Sequence, residues 1–179
     1  MMYPELAELL YHGSDKKVSE IDLSMSVSGK DFGRGFYTTT DRIQAEKFAR
    51  LKSKRVQAAK GYVSVFGFQG IDGLRIKKFI TSDLEWFEFV LQNRGYDKLS
   101  FSMTNEKYDI VIGPVANDNV GVVLNLFISG TYGDPGTKEA KETAVRLLLS
   151  QKLYNQVFFG TERAVSCLTF SEVLDVYVE

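Results

Sequence analysis

The sequence is poor in the residues that build disulfides and metal sites. Its 179 residues include one cysteine, Cys167, and one histidine, His12. A single cysteine excludes an internal disulfide, and the two residues together leave too few ligands for a zinc site, so no metal is expected. Three prolines and 15 glycines exclude collagen-like and low-complexity chains. The formal net charge of -1 gives no global pull toward nucleic acid or an anionic membrane. No apolar run approaches the ~20 residues of a membrane span. The opening MMYPELAELLYHGS has no basic segment ahead of its short apolar stretch, which argues against a secretory signal. These absences point to a cytoplasmic protein with no membrane partner.

What is there is a globular composition, 44% hydrophobic and 25% charged. That suits one domain, residues 1–179, with a sizeable core. No internal repeat and no linker rich in Pro, Gly or Ser divides it.

Residues 6–11 read as a strand running into a turn at His12-Gly13-Ser14, followed by a polar loop over 14–33. Long ordered loops are often functional. Residues 35–39 (GFYTT) form a second strand. Asp41 caps a helix that carries Ala45, Phe48 and Ala49 on one face and continues to about residue 59. A strand follows over 62–69, with residues 74–79 as its hairpin partner. Asp83 caps a helix over 84–94 closed by Gly95, with a polar stripe of Glu85, Glu88 and Gln92. Residues 109–113 form a buried strand, 120–128 a helix, and 137–151 an amphipathic helix with Ala140, Ala144, Leu147 and Leu148 on one side. A strand over 157–159, a short helix over 161–167 and a terminal strand over 173–178 complete the chain. Strands and helices mix without strict alternation, which predicts an α+β fold rather than a doubly wound parallel sheet. Neither common nucleotide-binding glycine motif is present.

Three segments hold chemistry-bearing residues: Tyr11-His12-Gly13-Ser14, the run DFGRGFYTTTD over 31–41, and YNQVFF over 154–159. Each has a structural explanation when taken singly. A lone histidine at a strand end is commonly a hydrogen-bonded structural residue, and an aromatic on an apolar helix face is commonly core. Their order and spacing together point further. YHGS, then GRGFYTTTD, then a helix aromatic eleven residues after the tyrosine, resemble the NAD-binding half of the ADP-ribosyltransferase superfamily. The likeness is to its diphtheria-toxin-like and poly(ADP-ribose)-polymerase-like branch, with a His, Tyr and Glu signature. DFGRGFYTTTD, DIVIGPVANDN and the late QVFF strand also resemble a bacterial family of this fold whose activity is not established.

The resemblance implies a split antiparallel sheet with flanking helices and NAD, as substrate, in its cleft. Catalytic roles fall to His12, Tyr37 and Gln156. The NAD-binding set is His12, Gly13, Ser14, Arg34, Tyr37 and Phe48. Tyr37 and Phe48 would sandwich the cationic nicotinamide ring, an attraction of ~0.5–2 kcal/mol for a cation over a π-face. The Gly13 backbone would meet the carboxamide, His12 a ribose hydroxyl, Ser14 the adenosine side and Arg34 the pyrophosphate. His12 and Tyr37 are expected on adjacent strands with side chains toward one cavity.

The third motif departs from the family. Gln156 stands where the family has a glutamate that stabilises the developing oxocarbenium ion. Gln is neutral, so that stabilisation is weakened, and a glutamate at 156 is expected to raise turnover. Glu162, Asp118 and Glu85 are candidates for a compensating carboxylate. The implied activity is mono-ADP-ribosyl transfer to a protein or nucleic-acid acceptor, in a toxin-like setting with an antitoxin-like partner. The alternative is a catalytically impaired NAD- or ADP-ribose-binding module. Seven basic residues over 42–60 read as the solvated face of a helix, Asn117-Asp118-Asn119 as a turn, and Cys167 as a small core residue.

Overall fold

The computed structural model describes residues 8–70, 72–99, 107–115, 118–149 and 155–178. The chain is mixed α and β, with two sheets and five helices among the described residues. The first sheet joins β1 (Leu9–Ser14), β3 (Lys60–Phe68) and β7 (Leu168–Tyr177) in the order β1–β3–β7, all antiparallel. The second runs β2 (Phe36–Thr38), β6 (Asn155–Phe159), β5 (Ile110–Pro114) and β4 (Ile76–Lys78). β4 pairs parallel to β5, so the second sheet is not wholly antiparallel. The β4–β5 connection contains the helix α2 (Leu84–Asn93), the kind of crossover a parallel pair requires.

Several expectations shift by identifiable causes. His12, Gly13 and Ser14 lie on the first strand, not in a turn after it. Residues 76–78 do not pair with β3, because β1 and β7 already occupy both of its edges. Glu88 is buried, not part of a solvated stripe. The helix α4 (Lys138–Leu149) covers that side of α2, and the Lys141 ammonium meets the Glu88 carboxylate at 3.1 Å. Leu147 turns outward from the apolar side that buries Ala140, Ala144 and Leu148.

The second sheet is covered on both faces, and the side-chain period of two sorts its residues. Val111 and Phe158 pack with Trp86, Phe87 and Phe127 from α2 and α3 (Asp118–Ile128). Ile110, Ile112, Val157 and Phe159 turn the other way and meet Leu10 and Phe66 of the first sheet. Burial stabilises the fold by ~1.5–3 kcal/mol for each large apolar side chain. The helix α1 (Arg42–Arg55) lies on the outer side of the first sheet, where Ala45 and Ala49 meet Val63 and Val176. The Asp41 carboxylate accepts from the N–H groups of Ile43 and Gln44, as a cap should. The helix ends at Arg55, short of residue 59, and Gln57 follows at φ 56°. A short helix α5 (Glu162–Val165), capped by Thr161, leads into β7.

Candidate functional site

Beyond their packed core, the two sheets are joined among the described residues by one backbone bridge. Tyr11 and Thr39 exchange backbone hydrogen bonds of 2.8 and 2.9 Å. Past that bridge a side chain takes over from the backbone, with His12 Nδ1 2.6 Å from the Tyr37 carbonyl oxygen. A carbonyl only accepts, which assigns the proton to Nδ1 and leaves Nε2 as the acceptor of the neutral ring. Burial pushes His12 down to about 3, and the Lys52 ammonium adds to the effect. The imidazole is therefore neutral at neutral pH. Its ring stacks on Phe36 with centroids 4.5 Å apart.

Gly13 has two roles, the first of which only glycine permits. A Cβ there would sit 2.0 Å from the Ala45 carbonyl oxygen, so the missing side chain lets α1 close on β1. Strand alternation also aims the Gly13 N–H and C=O toward the same edge as those of Tyr11, away from β3. Lys52 donates to that Gly13 oxygen at 2.9 Å. Burial, then the charge of Lys30, brings Lys52 down to about 8.

Tyr37 supports the 31–34 loop. Its hydroxyl donates to the Gly33 carbonyl at 2.7 Å and accepts from the Phe32 N–H at 3.1 Å. Its ring packs on Phe158, on the face of β2 opposite Phe36 and the His12 ring. Lys30 Nζ lies 5.4 Å from the Tyr37 centroid, already in a cation–π position. Burial pushes the Tyr37 phenol up. Phe32 anchors the loop in the aromatic core beside Phe79, Phe89 and Phe158.

The neighbouring Asp31 is buried and multiply held. Its Oδ1 accepts from Arg94 Nη2 at 2.6 Å and Nε at 3.0 Å, and its Oδ2 from Gln156 Nε2 at 3.2 Å. Gln156, on β6, also donates to the Pro114 carbonyl at 3.3 Å.

One cavity of about 900 Å³ brings these groups together. It is lined by His12, Gly13, Ser14, Tyr37, Phe48 and Gln156, the majority of the expected site. The volume lies within the ~300–1,000 Å³ of ordinary ligand pockets. His12 and Tyr37 both border this cavity, but their rings take opposite faces of β2, so the expectation that the two side chains turn together toward one cavity is not met. Arg34 does not line it, because its guanidinium bonds the Ser26 and Ser24 carbonyls of its own loop. Glu85 and Glu162 do not line it either, and Glu85 pairs with Lys77. The Asp118 side chain and residues 117 and 154 lie outside the described residues. Cys167 is half-buried, away from the cavity.

The cavity concentrates positive charge. Seven lysines and arginines line it, Lys30, Lys52, Arg55 and Arg94 among them, against three acids, Glu20, Asp22 and Asp31. The excess of four stands out in a chain whose net charge is -1. Such focusing attracts anions. The reading of 42–60 as a solvated face holds for exposed Lys47 and Arg55, which reach the cavity rim, whereas Lys52 departs from it by turning in to the Gly13 carbonyl. Arg94 and Lys52 were not foreseen as site residues. The density of basic residues in 42–60 was the available signal for Lys52, and nothing local marks Arg94.

The family model described as Protein of unknown function (DUF3990) matches residues 9–170. No curated protein and no solved structure matches the chain.

Proposed function

The chain belongs to this family of unknown function, and from the geometry of its cleft we propose an NAD-dependent mono-ADP-ribosyltransferase with an ADP-ribosyltransferase-like fold. The observation that carries the reading is the convergence of His12, Gly13, Tyr37, Phe48 and Gln156 on one positively charged cavity at the parting of two sheets. His12 Nε2, neutral and oriented by Tyr37, accepts from a ribose hydroxyl. The outward edge of Gly13 meets the nicotinamide carboxamide. The pyridinium replaces Lys30 as the cation at the Tyr37 ring, and exposed Phe48 offers the second aromatic surface. Lys52 and Arg55 take the pyrophosphate in place of Arg34.

The acceptor is a protein or nucleic acid, in a toxin-like role with a neutralising partner. A second reading, an NAD- or ADP-ribose-binding module without turnover, draws on one observation: Gln156 carries no charge and its amide nitrogen is engaged by Asp31 and Pro114. Incubation with NAD labelled on the adenylate tests both. The transferase reading predicts free nicotinamide and label on macromolecules. Binding with neither product supports the module instead.

A further inference from the structure

We infer that Asp31, not Gln156, supplies the negative charge that stabilises the reacting ribose, with Arg94 and Gln156 as its positioning residues. This rests on the transferase reading above. The Gln156 amide nitrogen lies 3.2 Å from Asp31 Oδ2. A carboxylate therefore already stands within one hydrogen bond of the position where the resemblance expects a glutamate.

Three observations single out Asp31. Among the three acids lining the cavity, Glu20 and Asp22 are exposed, whereas Asp31 is 7% exposed. Charge acts more strongly where water is excluded. The carboxylate is also fixed from several sides. Phe32 buries the next residue in the core, the Tyr37 hydroxyl clamps the loop backbone, and Arg94 grips Oδ1 with two nitrogens. Electrostatic stabilisation depends on such preorganisation. Finally, the other candidate carboxylates with described side chains, Glu85 and Glu162, lie off the cavity.

The step balances without a further reagent. The bond between the nicotinamide nitrogen and ribose C1′ breaks, and its electron pair leaves with the nitrogen. The pyridinium becomes neutral nicotinamide, and the positive charge passes to C1′ and the ring oxygen. An acceptor hydroxyl, or water, forms the new C–O bond at C1′ and releases its proton to solvent. Asp31 makes no bond to carbon and acts through its charge.

With Asp31 in this role, a glutamate at 156 does not raise turnover as its position alone suggests. Placed beside Asp31, it would make a like-charged pair that holds a proton, leaving the local charge near its original value.

The test compares nicotinamide release and NAD affinity for the full chain, D31N, Q156E and D31N/Q156E, with the melting temperature of each. The expected result for D31N is a kcat lower by ~10²-fold or more, with NAD affinity within about threefold. Q156E is not expected to show the ~10²-fold gain that a missing carboxylate would give, because Asp31 already supplies the charge. The double variant, which moves the carboxylate to 156, is expected to recover at least about tenfold over D31N. A D31N rate equal to wild type overturns the assignment and leaves the transferase reading intact. So does a Q156E rate raised ~10²-fold, and that comparison holds even if D31N does not fold. A folded double variant no faster than D31N overturns it as well. No nicotinamide release by the wild-type chain overturns the transferase reading itself.

Discussion

His12 bonds the carbonyl of Tyr37 at 2.6 Å where the two sheets part, so one imidazole both closes the fold and presents Nε2 to the cavity. The Nδ1 bond forms with either charge state, and burial is what keeps the ring neutral so that Nε2 can accept. The folded pKa of about 3 lies below the ordinary 6.5, so the unfolded chain takes up the proton first. Stability is therefore full above about pH 6.5 and is lost as pH falls toward 3, by up to ~1.4 kcal/mol per pH unit. Denaturant titrations between pH 6.5 and 4.5 measure this slope. H12Q should flatten it, and an equal slope in both proteins would contradict the assignment.

Gly13→Ala should destabilise the fold before it affects any ligand. Its Cβ would meet the Ala45 carbonyl oxygen at 2.0 Å, with Ala49 N at 3.0 Å. These are backbone atoms, so α1 must shift off β1. Overpacking of this kind costs about 1–3 kcal/mol or more. Thermal melting reads it directly, and an unchanged midpoint would refute the close approach.

Tyr37→Phe separates the ring from the hydroxyl. It removes the bonds to Gly33 and Phe32 and leaves the contact with Phe158. A loss of about 1–3 kcal/mol in stability follows from two part-buried hydrogen bonds. Backbone amide exchange should quicken at Phe32. Unchanged exchange there would show that the hydroxyl does not clamp the loop.

Anion binding in the cavity should weaken as pH rises through about 8. Lys52 carries its charge below that value and loses it above, and an anionic ligand favours the charged form. The ADP-ribose dissociation constant measured from pH 6.5 to 9 should rise, and K52M should be weaker and nearly flat. A wild-type constant that does not move across that range would place the anion elsewhere.

Local chemistry was legible where it is local. The Asp41 cap, the 36–38 strand and the helices over 84–93 and 138–149 follow from side chains within a few positions. The cavity-lining residues of β1 and β2 were legible for the same reason, because a short motif carries them. Partners distant in sequence were not. Asp31 meets Arg94 across 63 positions and Gln156 across 125. Neither pairing leaves a periodic signal. Glu88 looked like a solvent stripe because its partner Lys141 sits on a helix that sequence spacing does not orient. Arg34 looked like the anion partner because arginine normally is. Its loop folds the guanidinium back onto the Ser24 and Ser26 carbonyls, and the lysines of α1 take the cavity instead.

Calorimetric titration of NAD into the 179-residue chain, with nicotinamide followed in the same sample, decides whether the cavity is an NAD site. Saturable binding that weakens in H12A and K52M is expected, accompanied by nicotinamide release from the wild-type protein. Absence of both binding and release at millimolar NAD would contradict it.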